Sequence, residues 1–526
     1  MFRAVTNLSR LAGAALILAR HDALFPLDRI GFAGPVAAAI RLVARMPGLR
    51  HETRDLRPGE RLAQALTELG PSFIKFGQSL ATRADLIGED IATDLSRLQD
   101  RLEPFPADHA RDIVAAELDR PLDEVFSSFE DQPVAAASIA QVHLATTTEG
   151  APVAVKVLRP GIEAEFARDL DLLGWLAEQI ERNRPELRRL KPREVVRTFA
   201  QIVATEMDLR LEAAAAAELG ENFAGDDKFI IPAVDWQRTA RRVLTLERVG
   251  GIPIDEREAL IAAGIDPDEV LKTASRVFFL QVFRDGFFHA DLHPGNLFVS
   301  PEGALQAVDF GIMGRLDLAT RCYLGEMLLG FLEGDYGRVA DVHFRAGYVP
   351  ANQSRDMFMQ ACRSIGQPIL GLPMSQISVA RLLAQLFAVT ETFQMEAQPQ
   401  LLLLQKTMMV AEGVGRRLNP DVNMWELSRP LIEDWMRENL GPEARMLKTA
   451  REMMAGIERL PGFVANVEKL AAMVAEKGNK PRPGVLAELL ARDDGDRPAA
   501  RGGAAAQWWI AGLLVAILIT LILKSF

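Results

Sequence analysis

Leu and Ala recur at helical spacing through residues 1–130, which predicts a helical N-terminal region. The pattern then changes. Pro133-Val134-Ala135-Ala136-Ala137-Ser138-Ile139-Ala140-Gln141-Val142-His143-Leu144 reads as a strand–loop–strand. Pro152-Val153-Ala154-Val155-Lys156-Val157-Leu158 is a short β-branched run bounded by turn residues. Helical spacing returns over 162–220, Arg242–Glu247 predicts a further strand, and a helix over 268–285 leads into a loop around His289. Residues 320–478 are again largely helical and Met-rich, and core packing is the first explanation for those methionines. No internal repeat stands out. Segments of both periods follow one another along the chain, so an α+β fold is expected.

Composition narrows the possibilities. A chain of 526 residues exceeds the usual span of one hydrophobic core, so two or more lobes are expected. The balance of 49% apolar and 25% charged residues excludes wholesale disorder. A net charge of −11 argues against a general nucleic-acid binder, which would carry a basic footprint. Residues 1–70 run against that average, with ten Arg, no Lys and six acids, hence net +4. Such a basic stretch, interleaved with Leu, Ile and Phe, either lies on anionic lipid or packs as an amphipathic helix on its own domain. The two cysteines, Cys322 and Cys362, have no metal-like spacing, and a reducing, cytosol-facing compartment fits.

The two ends differ. The apolar run Leu11–Ala19 is short and no small-residue cleavage site follows it, so a signal peptide is not indicated. From Ala504 to Leu523 there are twenty uncharged residues, with Gln507 the one polar residue before Thr520. At 1.5 Å per residue this run spans about 30 Å, the thickness of the hydrocarbon layer. Trp508 and Trp509 stand where an interfacial aromatic belt would lie, and Lys524 closes the far end. A flexible linker, 479–503, rich in Pro, Gly, Arg and Asp, precedes it. A C-terminal transmembrane helix over 504–523 is expected.

Candidate chemistry lies in four places. Val153-Ala154-Val155-Lys156-Val157 matches the V-A-I-K strand of protein kinases, and an ammonium among valines needs phosphate or carboxylate to compensate it. Phe288-His289-Ala290-Asp291-Leu292-His293-Pro294-Gly295-Asn296-Leu297 has the kinase catalytic-loop form, H-x-D with Asn five positions later. Ala307-Val308-Asp309-Phe310-Gly311 holds D-F-G, and its spacing from Asp291 allows a loop and two short strands to bring both carboxylates to one cleft. Any one of these is weak, but the ordered set is not. Phosphoryl transfer is mostly positioning and charge stabilisation. Lys156 would hold the α/β-phosphates of ATP, and Asn296 and Asp309 would hold Mg2+ through hard oxygen atoms. Asp291 would orient the attacking hydroxyl or water and take its proton, while His289 braces the loop. The fourth place departs from ordinary kinases: Ala135, Ala137 and Ala140 occupy the three glycine positions of G-x-G-x-x-G. A Cβ at each stiffens the phosphate loop and holds it off. That favours ATP hydrolysis or a small-molecule acceptor over a protein hydroxyl.

These alanines, with Lys75-Phe76-Gly77-Gln78 and Glu206-Met207-Asp208, resemble the UbiB family of atypical kinases and ATPases, over roughly residues 60–420. Leu404-Gln405-Lys406-Thr407 and Glu412-Gly413-Val414-Gly415-Arg416 extend the likeness. Two departures are Leu211, where arginine is usual, and the alanine run 213–217. The resemblance implies a bilobal protein-kinase-like fold and a membrane-associated ATP-binding protein that assists ubiquinone synthesis. Its partners would be membrane lipid and quinone precursors or their enzymes. It implies a nucleotide loop over Pro133, Val134, Ala135, Ala136, Ala137, Ser138, Ile139, Ala140 and Gln141. It implies also a lid carrying Lys75 and Gln78 over the cleft, Lys75 pairing Glu206 or Asp208. Glu212 would pair the strand lysine, four residues after Asp208 on one helix face, with Glu206 as the alternative.

The expected organisation is a basic region (1–60), a helical extension with the lid (61–130), an N-lobe (131–250), a C-lobe with helical extension (251–478), the linker and the span. ATP and the catalytic domain would share the cytoplasmic side of the cell inner membrane. Two readings compete with an ATPase: a small-molecule phosphotransferase of the aminoglycoside or choline-kinase type, and a non-catalytic nucleotide-binding scaffold. A quinone-ring hydroxylase finds no flavin fingerprint, iron-ligand cluster or dinucleotide G-x-G-x-x-G.

Overall fold

The computed structural model describes residues 2–23, 56–81, 87–95, 98, 102–183, 191–370, 398–421 and 424–440, with isolated positions between 385 and 395. The expected linker and the 504–523 run lie outside them. Among the described residues no helix is long and apolar enough to cross a membrane.

Helices α1 (Phe2–Arg20), α2 (Pro58–Leu69), α3 (Pro71–Ala81) and α4 (Glu89–Leu95) form the N-terminal extension. For α1 the structure favours packing over lipid. Arg10 pairs with Asp169 at 2.5 Å, Asn7 donates to Asp171 at 2.9 Å, and His21 meets Glu68 at 2.7 Å. α3 approaches α2 closely because residue 77 is glycine: a Cβ there would come within 2.6 Å of Leu66 and 2.8 Å of Leu98.

Helices α5 (Ala107–Leu118) and α6 (Leu122–Val125) lead into an antiparallel sheet. Its order is β1 (Phe126–Phe129), β3 (Ala140–Thr147), β4 (Pro152–Leu158), β6 (Val243–Glu247), with β2 (Ala135–Ala136) paired to β3. Phe126–Phe129, expected helical, is an edge strand whose two phenylalanines flank two outward serines and bury against α5, a register shift between Phe126 and Ser128 allowing both to face inward. In β4 the period of two does the positioning. Val153, Val155 and Val157 bury on Ile113 and Val114 of α5, so Lys156 stands on the other face.

The helical stretch expected over 162–220 holds three helices among the described residues: α7 (Ile162–Asn183), α8 (Pro192–Glu206) and α9 (Leu209–Asn222). Asp208 causes the last break, since its extended backbone lets its carboxylate cap α9 through Arg210 N. Asp208 and Glu212 are therefore a cap and a first-turn residue, not two positions on one face. The alanine run has a packing reason: Ala213 and Ala216 are fully buried and let α9 lie close against the sheet.

The second lobe starts with β5 (Phe229–Ile230), β7 (Ile252–Pro253), α10 (Arg257–Ala262) and α11 (Pro267–Phe279). α11 continues as a π-helical segment, Leu280–Asp285, into β8 (Phe287–His289). β9 (Leu297–Val299) and β10 (Leu305–Ala307) follow and pair antiparallel, between β7 and β5. β11 (Met313–Arg315) pairs antiparallel with β8. Phe288 and Phe310 are among the largest fully buried side chains here. Helices α12 (Leu318–Glu333), α13 (Tyr336–Arg345), α14 (Arg355–Gly366), α15 (Pro399–Leu418) and α16 (Met424–Leu440) complete the described part.

Gly314 faces Phe288 across the β8–β11 pair, and a Cβ there would lie 2.2 Å from the ring. Gly314→Ala is expected to destabilise by about 1–3 kcal/mol through overpacking. Gly174→Ala, in mid-helix with nothing within 4 Å, is expected to stabilise by up to about 1 kcal/mol. Urea midpoints of the purified protein measure both, and equal midpoints for the two variants contradict this packing.

Candidate active site

Three elements meet at Lys156. Its ammonium donates to Glu212 Oε1 at 2.8 Å and Oε2 at 3.0 Å, and to Asp309 Oδ1 at 3.2 Å. Glu212 comes from the first turn of α9, where the helix N-terminus favours a carboxylate. It also accepts from Phe310 N at 3.3 Å, so the same side chain ties the lysine to the D-F-G turn. Asp309 adopts φ +61, a left-handed conformation that Asp tolerates better than most residues. Burial pushes the Asp309 carboxyl up, but the Lys156 ammonium, helped by Lys75, outweighs it and holds the group well below the usual range. The side chain keeps 48% of its surface open to the cleft, so it is an ionised and accessible acid. Burial disfavours the Lys156 ammonium, and Asp309 and Glu212 more than restore it. Burial raises the Glu212 carboxyl, against the pull of Lys156.

The catalytic-loop residues sit beside this triad. His289 is buried; its Nδ1 accepts from Asp291 N at 3.1 Å, and its Nε2 then carries the proton toward Val308 O at 3.4 Å. Burial lowers its pKa, with Asp309 and Asp291 opposing, so the ring stays neutral and braces the turn. His289 N donates to Gln281 from the π-helical segment at 2.8 Å. Asn296 Nδ2 donates to Asp291 O at 3.0 Å, which leaves its Oδ1 for a cation, and Val308 N donates back to Asn296 O at 2.9 Å. These links put Asp291, Asn296 and Asp309 along one wall. His293 Nδ1 accepts from Gly295 N at 3.1 Å and caps a short turn.

A divalent cation fits this wall. Asp309 is ionised and open, Asn296 offers an amide oxygen, and both are hard donors. Among the described residues no three His, Cys, Asp or Glu converge as a closed cage. An ion held here would complete its shell from phosphate and water.

The nucleotide-loop residues divide into two groups. Pro133–Ala137 are half-buried or exposed and offer surface to a ligand, whereas Ser138–Gln141 are buried. The side chains of Ile139 and Gln141 are therefore not available to nucleotide. Ile139 joins the core, and the Gln141 amide accepts from Phe105 N at 3.0 Å and donates to Phe105 O at 3.1 Å. Arg159, which no motif or periodicity singles out, pins the hairpin. Its guanidinium donates to Ala137 O at 2.9–3.0 Å and to Glu103 O at 2.9 Å.

In the lid segment Lys75 pairs with Glu206 at 3.2 Å, both side chains largely buried. Asp208, its other expected partner, pairs with Arg210 at 2.6 Å. Gln78 donates to Leu98 O at 3.3 Å and so serves the packing of α3. Lys406 was also missed as a site residue, although it lies 2.8 Å from Asp291. A lone helical lysine reads as a solvated face unless the fold is known.

Residues 97–343 match the ABC1 atypical kinase-like domain and residues 362–423 match the UbiB helical domain. The probable protein kinase UbiB of Marinobacter nauticus is 41% identical over 480 residues, covering 90% of this chain and 87% of that protein. The probable protein kinase UbiB of Xanthomonas axonopodis pv. citri is 42% identical over 484 residues, covering 90% and 84%. A solved structure, the complex of Rv3197 with erythromycin from Mycobacterium tuberculosis, is similar with a TM-score of 0.51 and 25% identity, covering 71% of this chain and 95% of that one. Likeness of this extent, in sequence and in the kinase-like lobes, leads to one conclusion: this chain belongs to the UbiB family of atypical kinases.

Proposed function

We propose that this protein is a membrane-anchored ATPase or atypical kinase that binds ATP with Mg2+ and supports ubiquinone biosynthesis. Its clients would be lipid-linked quinone precursors or the enzymes that handle them. The observation that carries this reading is the Lys156 ammonium fixed between Glu212 and Asp309, while Val308, next to Asp309, donates to Asn296 O and Asn296 in turn donates to Asp291 O. Lys156 holds the α/β-phosphates, and Glu212 keeps it aimed. Asp309 and Asn296 would hold the ion, which would supply positive charge to the phosphate oxygens. Asp291, oriented by His289, positions the attacking hydroxyl or water and accepts its proton. The alanine hairpin, stiff and pinned by Arg159, favours hydrolysis or a small acceptor over a bulky protein hydroxyl. Anchoring rests on the 504–523 run, which would keep this domain on the cytoplasmic side of the inner membrane, where ATP is. A small-molecule phosphotransferase is the second reading, favoured by the macrolide complex of its structural relative.

Turnover of Mg-ATP by the purified full chain tests the main reading. Asp309→Asn and Asp291→Asn are each expected to cost about 100-fold or more in kcat. A wild-type protein that binds no nucleotide, or turnover untouched by Asp309→Asn, defeats it. Cells lacking the protein should accumulate early prenylated precursors by mass spectrometry, and Asp291→Asn should not restore quinone. A phosphorylated aminoglycoside or choline product would move the second reading to first place.

The ion triad also fixes a pH dependence. Asp309 sits below its ordinary range, so its stabilisation is complete above about pH 4 and is lost as pH falls further. Lys156→Met frees Asp309 to rise and leaves Glu212 buried without a counter-charge. Its stability deficit should be about 3–5 kcal/mol at pH 7 and shrink as the pH is lowered through about 4. Urea unfolding at pH 7 and pH 4 measures this, and equal deficits reject the coupling.

A further inference from the structure

Lys406 has no part in the chemistry above, yet its ammonium lies 2.8 Å from the Asp291 carboxylate. It arrives from α15, in the UbiB helical domain, 115 residues further along the chain. That helix is not a loose arm. Leu404, Thr407, Val414 and Leu418 bury one face of it. Arg257 donates to Leu418 O at 2.9 Å, Asn419 donates to Asp268 at 2.9 Å, and Arg417 pairs with Asp255. The lysine is thus delivered to the base by a fixed element.

Stability supplies no reason for the pair. Lys406 and Asp291 are 39% and 35% exposed, and an exposed ion pair adds almost nothing to folding. The other lysines at the cleft are committed, Lys156 to Glu212 and Asp309, and Lys75 to Glu206. A terminal phosphate in this cleft would meet two carboxylates, Asp291 and Asp309. The side of the base needs a cation, and Lys406 stands there.

We propose that Lys406 is a catalytic residue of the ATP chemistry argued above, on which this inference rests. Its ammonium bridges Asp291 and the oxygens of the γ-phosphoryl group. Asp291 takes the proton of the attacking water or hydroxyl as its oxygen bonds to the γ-phosphorus. The bond from that phosphorus to the β,γ-bridging oxygen breaks, and ADP leaves with the electron pair. Lys406 stays protonated and offsets the charge that develops on the transferring group. The cation on the far side of the phosphate thus comes from the appended helical domain, while Lys156 serves the near side.

The test uses the full chain in detergent, with Lys406→Ala, Lys406→Met and Lys406→Arg beside the wild type. Met keeps the aliphatic stem and guards against an unfolded Ala variant. Ala and Met should lower kcat about 100-fold and raise KM for ATP about 10-fold, and Arg should recover about 10-fold of the loss in kcat. Equilibrium titration with ATP and with ADP gives a second readout. Affinity for ATP should fall about 10-fold in the Met variant and that for ADP should hold, because only ATP carries the γ-phosphate. An unchanged or raised kcat, or equal weakening of both nucleotides, overturns the proposal. A wild type that neither binds nor hydrolyses ATP overturns the nucleotide reading along with it.

Discussion

One ammonium holds the architecture of the cleft together. Lys156 comes from a strand, Glu212 from a helix and Asp309 from a turn of the other lobe, and the three meet within 3.2 Å. Burying the Lys156 and Glu212 charges costs several kcal/mol each, so removing one of the two leaves an expensive orphan. Much local structure follows from that constraint. The valines of β4 must all face one way, Asp208 must end one helix so that Glu212 opens the next, and Asp309 must accept a left-handed backbone.

Around this centre the walls are stiff where an ordinary kinase is supple. The alanine hairpin has side chains in place of glycine, Gln141 bolts its strand to Phe105, and Arg159 grips the carbonyl at its tip. Across the cleft, the Lys75–Glu206 pair secures the lid helix to the end of α8. Both devices hold the walls of the cleft in a fixed setting at the expense of adaptability.

Much of this was legible in the residues, and what was not has physical reasons. The β4 strand, the catalytic loop and the D-F-G turn could be read because alternation and short motifs are local. The likeness to the family also reached the right lobes. Three things could not be read. Residues 162–220 keep helical spacing, and nothing in that spacing marks Asp208 as the cap where one helix gives way to the next. Gln141 looks like a ligand-facing residue until the sheet turns it inward. Lys406 gains meaning only when a helix more than a hundred residues away folds back onto Asp291. Long-range placement of a single charge leaves no periodic trace.

The π-helical stretch before β8 has a consequence of its own. Its wider turn brings Gln281 fully inside, where the side chain holds His289 N and thereby the whole catalytic loop. A π turn amounts to one residue added to an α-helix, often near a functional site. Removing a single residue between 280 and 285 would restore ordinary winding while rotating that glutamine off its partner. In this stretch the count of residues matters more than their chemistry, and length variation rather than substitution is the change that evolution should avoid here.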